Sequence, residues 1–331
     1  MFIGISGSIC SGKAEVVKYL KLQGFQQLKV GGCTETINLN DFGNDLDIMH
    51  SFNHLANTRY FDTATDMLNY VTLHWRSDFV TTSITDLETL EVLSKRPFFL
   101  HIAVDAPLLI RWKRYQERNG PVQLEEFSRL SDEQLYSRLN GLTAVLKKAK
   151  VTIVNPSHNL ELLYFRLNNL NLFDPTRLRP SWDAYFMRLA DLAALRSNCM
   201  KRQVGCVLVR EKRVISTGYN GTPRGLVNCN EGGCTRCNSG DGSGNGLSTC
   251  LCLHAEENAL LEAGRERTGK DSTIYCNTCP CLTCSIKIVQ TGVTEVVYSQ
   301  SYSMDEASAK VLKAGGVVLR QYIPPSEGMI L

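Results

Sequence analysis

Two short segments carry the residues best suited to hold a metal ion and move a proton: His254-Ala-Glu256 and Pro280-Cys281-Leu-Thr-Cys284. Cysteines spaced i, i+3 share one face of a helix, and the partial positive charge of a helix N-terminus favours the thiolate that binds zinc. A third ligand from His254 leaves one tetrahedral position open to water, which separates a catalytic zinc from a closed structural one. Glu256 follows His254 closely enough to stand beside the metal without being its evident ligand. A carboxylate there can take a proton from water and pass it to a ring nitrogen or a leaving amine. A CxxC pair alone also serves as a structural knuckle; the upstream His-x-Glu and the proline before Cys281 make this pattern catalytic.

These groups need elements to hold them. From Ser181, placed as an N-cap, the spacing predicts a helix, strands 204–210 and 214–220, helix 255–265, strand 272–277, helix 281–291, strand 295–300, helix 304–314 and strand 317–323. The first half alternates in the same way: strand Phe2–Ile5, helix Ala14–Leu22, strand Pro97–Val104, helix Leu108–Arg118, a long helical stretch, then strand Val151–Val154. Such alternation predicts α/β architecture in both halves, with a mainly parallel sheet in the first. The segment Asn168–Pro180, broken by asparagines and prolines, marks a junction, which predicts domains at 1–172 and 173–331. Between Cys237 and Cys250 the run NSGDGSGNGLST has no apolar core of its own.

Composition narrows the function classes. The chain has 331 residues, 43% hydrophobic and 21% charged, with a formal charge of +3, ordinary for a globular protein and weak for a dedicated nucleic-acid or membrane-surface binder. No stretch approaches the roughly 20 apolar residues of a membrane span, and the short apolar start lacks the basic region of a signal peptide. Of 13 cysteines, only Cys10 and Cys33 precede residue 173. Cysteines at this density without a secretory signal point to a reducing compartment and to metal rather than disulfides; a cytoplasmic protein is expected, with the nucleus as the other compatible compartment.

The H-x-E…P-C-x-x-C pattern resembles that of the zinc nucleobase deaminases. Together with Val204-Gly205-Cys206 and Gly218-Tyr-Asn-Gly-Thr-Pro-Arg-Gly225, it is similar to the deoxycytidylate (dCMP) deaminase family over residues 181–325, and the N-terminal extension resembles the two-domain fungal form. The resemblance implies a cytidine-deaminase-like α/β/α sandwich, with His254, Cys281 and Cys284 on zinc and Glu256 as proton carrier. The implied reaction is attack at C4 of dCMP, giving dUMP for thymidylate synthesis. Asn220 would contact the nucleotide, the backbone of Ala255 would face the base, and Tyr302 would help seat the phosphate. It also implies a homo-oligomer, commonly a hexamer, activated by dCTP and inhibited by dTTP, with magnesium accompanying these effectors. Editing deaminases acting on tRNA or single-stranded DNA share the zinc motif, but the chain lacks their expected basic, aromatic-interleaved stretch.

Relatives with a second zinc place its ligands where this chain has Cys199, Cys229, Cys234 and Cys250, with Cys237 or Cys252 as substitutes. Four sulfurs would close the shell and make that site structural. In the first half, Gly7-Ser-Ile-Cys-Ser-Gly12-Lys13 fits a phosphate-cradling P-loop between strand and helix. Ala14 stands where a magnesium-binding hydroxyl is expected, so phosphoryl transfer is not. The helix carrying Arg111, Arg114 and Arg118 resembles the lid of small P-loop kinases such as dephospho-CoA kinase. A degenerate kinase-like domain is expected, with Gly7, Gly12 and Lys13 as its phosphate contacts.

Overall fold

A computed structural model describes residues 1–31, 58–138, 141–157, 159–240, 246, 249–301, 305–324 and 328–330. The chain forms two compact units, Met1–Arg179 with Ser326–Leu331, and Pro180–Pro325.

The first unit is built on a parallel sheet of seven strands: β1 (Phe2–Gly7), β2 (Gln26–Val30), β3 (Thr58–Phe61), β4 (Phe79–Thr81), β5 (Phe99–Asp105), β6 (Val151–Val154) and β12 (Gly328–Ile330). Their order is β12-β6-β5-β1-β4-β2-β3. The apolar runs reflect burial on both faces, as parallel sheets require. Along β1, Ile3 and Ile5 pack with Val16, Leu20, Leu163 and Leu167 on one side, while Phe2 packs with Met67, Val71 and Leu90 on the other.

This division differs from a single cut between residues 172 and 173. Phe173 and Leu178 pack against the first unit's core, which carries the boundary to Arg179. The last strand pairs with β6, Met329 opposite Ile153, so the chain's end returns to the first sheet. Such pairing between distant segments leaves no local spacing signal.

The second unit has a five-stranded sheet in the order β11-β10-β9-β7-β8: β7 (Gly205–Arg210), β8 (Arg213–Tyr219), β9 (Ser272–Thr278), β10 (Glu295–Gln300) and β11 (Val318–Gln321). β7 runs antiparallel to both neighbours, whereas β9, β10 and β11 are parallel. Side chains alternate between two cores, as strand geometry dictates. Cys206, Leu208, Ile274, Cys276 and Val296 face the helices Ala255–Thr268 and Leu282–Thr291. Val207, Val209, Tyr275 and Val297 face the helix Trp182–Ala194. The result is a sheet with helices on both faces. Ser181 caps the latter helix, its hydroxyl accepting from the Ala184 N–H.

Glycine is required where β8 meets the helix Ala255–Thr268. A Cβ on Gly218 would lie 2.1 Å from the Ala255 carbonyl oxygen and 2.5 Å from the Ala259 nitrogen. This close approach seats the start of that helix, where His254 and Glu256 lie.

Candidate active site

His254 occupies the N-cap of the helix Ala255–Thr268, and its backbone N–H donates to the Glu257 carboxylate at 3.0 Å. Glu257 is in turn paired with Lys287 on the helix Leu282–Thr291, tying the two helix starts together. Cys281 is the N-cap of that second helix and Cys284 sits in its first turn. The His254 Nδ1 is 3.3 Å from the Cys281 sulfur and 3.3 Å from the Cys284 sulfur. Nitrogen and sulfur on one tetrahedral zinc are about 3.5 Å apart, given ordinary Zn–N and Zn–S lengths. The three side chains therefore fit a common zinc ion and contribute three ligands. Hydrogen bonds from Cys284 and then His254, against the opposing effect of burial, bring the Cys281 thiol down to about 3, while Cys284 is pushed well up.

Glu256 projects into the same site and is 4% exposed. Burial raises its carboxyl pKa, a shift opposed first by the charge of His254. A carboxylate with increased proton affinity beside an activated water is suited to carry protons.

A cavity of about 450 Å³ opens over these groups and is lined by His254, Ala255, Glu256, Cys281, Asn220 and Thr278. Asn220 is nearly buried: its Oδ1 accepts from the Val204 N–H at 2.8 Å and from the Ser197 hydroxyl at 2.7 Å. Ala255 is fully buried at the helix start. Tyr302 lies outside the described residues. The wall also contains Lys201, Arg202 and Arg236, which sequence reasoning missed. Their only sequence signal is basic character near the cysteine-rich segment; folding alone brings residues 201 and 236 to one cavity.

Six further cysteines gather beside this cavity. Cys229, Cys234, Cys237 and Cys252 form a buried cluster, with Cys199 and Cys250 packed against it. The set Cys199, Cys229, Cys234 and Cys250 does not form one compact tetrad. Its members are divided two and two, and each pair joins Cys237 and Cys252 in a four-sulfur group. Sequence spacing places cysteines in a segment but cannot say which sulfurs face one another.

In the first unit, β1 leads through residues 8–12 into the helix Lys13–Leu22, with Gly12 at φ 103° as its N-cap. A Cβ on Gly7 would meet the Val104 carbonyl at 2.1 Å, so glycine is needed there as well. Lys13 donates to the carbonyls of Gly7 at 2.5 Å and Ser8 at 3.3 Å, and burial lowers its pKa. Arg114 reaches the carbonyls of Cys10 and Ser11 at 3.3 and 3.2 Å. Arg111 is buried and donates to the Ala106 carbonyl and the Ser131 hydroxyl, both at 2.9 Å. It braces the unit rather than forming part of a solvated basic face.

A deoxycytidylate deaminase of Schizosaccharomyces pombe is 48% identical to this chain over 329 residues, spanning 99% of each chain. The chain belongs to the deoxycytidylate deaminase family. A second deoxycytidylate deaminase, from Saccharomyces cerevisiae, is 46% identical over 312 residues, covering 91% of this chain and 96% of its own. Residues 180–300 match the cytidine and deoxycytidylate deaminase zinc-binding region, which contains His254, Glu256, Cys281, Cys284 and the six clustered cysteines. Among solved structures, the dCMP deaminase of cyanophage S-TIM5 in complex with dCMP and dUMP is 33% identical, covering 42% of this chain and 94% of its own, with a TM-score of 0.35. Similarity to the two yeast deoxycytidylate deaminases therefore extends through the first unit as well as the zinc-binding one.

Proposed function

We propose that this chain is a zinc-dependent deoxycytidylate deaminase that hydrolyses dCMP to dUMP and ammonia, supplying dUMP for thymidylate synthesis. The observation that carries this is the convergence of His254, Cys281 and Cys284 beside buried Glu256, at a cavity that His254, Glu256 and Cys281 line, in a chain 48% identical to a deoxycytidylate deaminase along its length. Zinc, when bound, supplies a Lewis acid that makes water a competent nucleophile near neutral pH. Glu256 takes the proton released by the attacking water and transfers it to the ring nitrogen N3. It then takes the remaining proton of the added hydroxyl and delivers it to the C4 amine, which leaves as ammonia while the C4 carbonyl forms. Asn220 and the Ala255 backbone contact the nucleotide, and Tyr302 helps seat its phosphate. Lys201, Arg202 and Arg236 give the cavity wall the positive charge that a 5′-phosphate needs.

The finer assignments follow the same family reading. The thiol cluster holds structural zinc. The enzyme assembles as a homo-oligomer, a hexamer being favoured, in the cytoplasm or nucleus, with dCTP activating and dTTP inhibiting it and magnesium accompanying them. Exposed Leu192, Leu195, Leu226 and Val227 supply apolar surface suited to self-association. The first unit is a degenerate P-loop-kinase-like domain. Gly7, Gly12 and Lys13 form its nucleotide-phosphate contact, and the absence of a hydroxyl at Ala14 removes magnesium-dependent transfer.

Ammonia release from dCMP, measured with dCTP and magnesium present and absent, tests these assignments. Turnover that rises with dCTP supports both substrate and activation. Deamination of cytidine in RNA or of tRNA adenine, with none of dCMP, would overturn the substrate assignment.

No helix among the described residues is long and apolar enough to cross a membrane.

A further inference from the structure

The six-cysteine cluster has a connectivity that one metal ion does not explain. Two groups of four sulfurs meet the geometry of a metal site: Cys199, Cys229, Cys237 and Cys252, and Cys234, Cys237, Cys250 and Cys252. Cys237 and Cys252 belong to both, and their sulfurs are 3.9 Å apart. Neighbouring edges are similar: Cys199 to Cys237 is 3.8 Å, Cys237 to Cys250 is 3.7 Å and Cys234 to Cys250 is 3.9 Å. Two sulfurs on one tetrahedral zinc lie about 3.8 Å apart, because each bond is about 2.3 Å long. A disulfide would need a separation near 2 Å, and these cysteines are free. We propose that this cluster holds two zinc ions, with Cys237 and Cys252 bridging them, Cys199 and Cys229 completing one tetrahedron, and Cys234 and Cys250 completing the other.

Packing around the cluster favours metal over a purely apolar core. Cys229 and Cys234 are fully buried, whereas Leu226, Val227 and Leu251 from the same stretch are 53%, 59% and 50% exposed. The segment has turned its thiols inward and its aliphatic side chains outward, the reverse of a hydrophobic core. Among its described residues the secondary structure is slight: a turn at Cys229–Glu231 and the four-residue helix Thr235–Asn238. Metal–thiolate bonds can supply the folding energy that such a segment lacks.

Charge is balanced locally too. Six thiolates and two dications leave a double negative charge, which needs donors around the sulfurs. The Leu251 N–H donates to the Cys234 sulfur at 3.4 Å, Lys201 and Arg202 donate backbone N–H groups to Cys199, and the Arg236 side chain hydrogen-bonds Cys237 and Cys250. The cluster also borders the reaction site. One residue separates Cys252 from His254, and the Ser197 hydroxyl accepts from the Cys199 N–H at 3.2 Å and donates to the Asn220 Oδ1 at 2.7 Å. Two metal ions would therefore brace both the zinc ligand and the cavity wall.

The proposal adds to the structural zinc inferred above, and its test reads metal rather than turnover. Elemental analysis of the full-length protein, purified under reducing conditions, should find three zinc ions per chain, falling to two in His254→Ala. X-ray absorption at the zinc edge should show a zinc–zinc contribution on the order of 3 Å, the separation expected for tetrahedra sharing two sulfurs. Cys237→Ser should abolish that contribution; should this variant fail to fold, the wild-type stoichiometry and absorption still decide. Two zinc ions in the wild type, no zinc–zinc contribution, or iron with visible sulfide absorption would each overturn the binuclear assignment. Loss of dCMP turnover with three zinc ions retained would instead overturn the substrate and leave the cluster standing.

Discussion

The side-chain amide of Asn220 donates to the main-chain carbonyl of Arg202 at 2.8 Å. The turn after β8 is thereby joined to the segment that enters β7, and both border the cavity. Asn220→Ala should lower stability by about 1–3 kcal/mol, because it strands buried backbone groups. It should also raise KM for dCMP, since the wall carrying Lys201 and Arg202 loses its tie. Thermal denaturation and steady-state kinetics check the two effects; reduced stability with unchanged KM would confine Asn220 to a structural role.

Glu256→Gln keeps the size of the side chain and removes its proton-carrying capacity. Turnover should fall by about 10²–10⁴-fold while zinc content stays at the wild-type value. Single-turnover deamination with parallel metal analysis separates these outcomes, and near-normal turnover would remove Glu256 from the chemistry.

Gly218→Ala places a methyl group against the Ala255 carbonyl and the Ala259 nitrogen. Backbone cannot yield as a flexible side chain does, so the helix start must shift. A loss of roughly 1–3 kcal/mol is expected from such overpacking, together with a drop in kcat as His254 and Glu256 move. Denaturant midpoints and kcat measured on the same preparation test both; a variant with wild-type kcat would show that the helix tolerates displacement.

His101 is 4% exposed on β5, with Nε2 2.7 Å from the Ser6 hydroxyl. Burial brings its pKa down to about 4, against 6.5 ordinarily. The unfolded chain therefore binds the proton more readily, and this group's contribution to stability falls as pH drops from about 6.5 towards 4. Between pH 7 and pH 5 the loss should be about 2 kcal/mol. His101→Gln should flatten that part of the pH dependence, read from urea unfolding at the two pH values; an unchanged slope would place the acid sensitivity elsewhere.

Much of the reaction site was legible in the sequence because its geometry is local. Cys281 and Cys284 share a helix start by their spacing, and His254 and Glu256 stand at the beginning of another. The alternation of strands with helices likewise predicted α/β architecture, whereas the covering of the second sheet on both faces is a tertiary result, Cys206 and Val207 entering opposite cores. Tertiary structure decided the relations that span loops. It brought Lys201 and Arg236 to one cavity, returned the terminal strand to β6, and paired Cys199 with Cys237 rather than with Cys234 and Cys250 in a single tetrad. Helix and strand periodicity fixes which face a side chain occupies over a few residues. Across an irregular segment that periodicity is lost, and only packing determines which side chains meet.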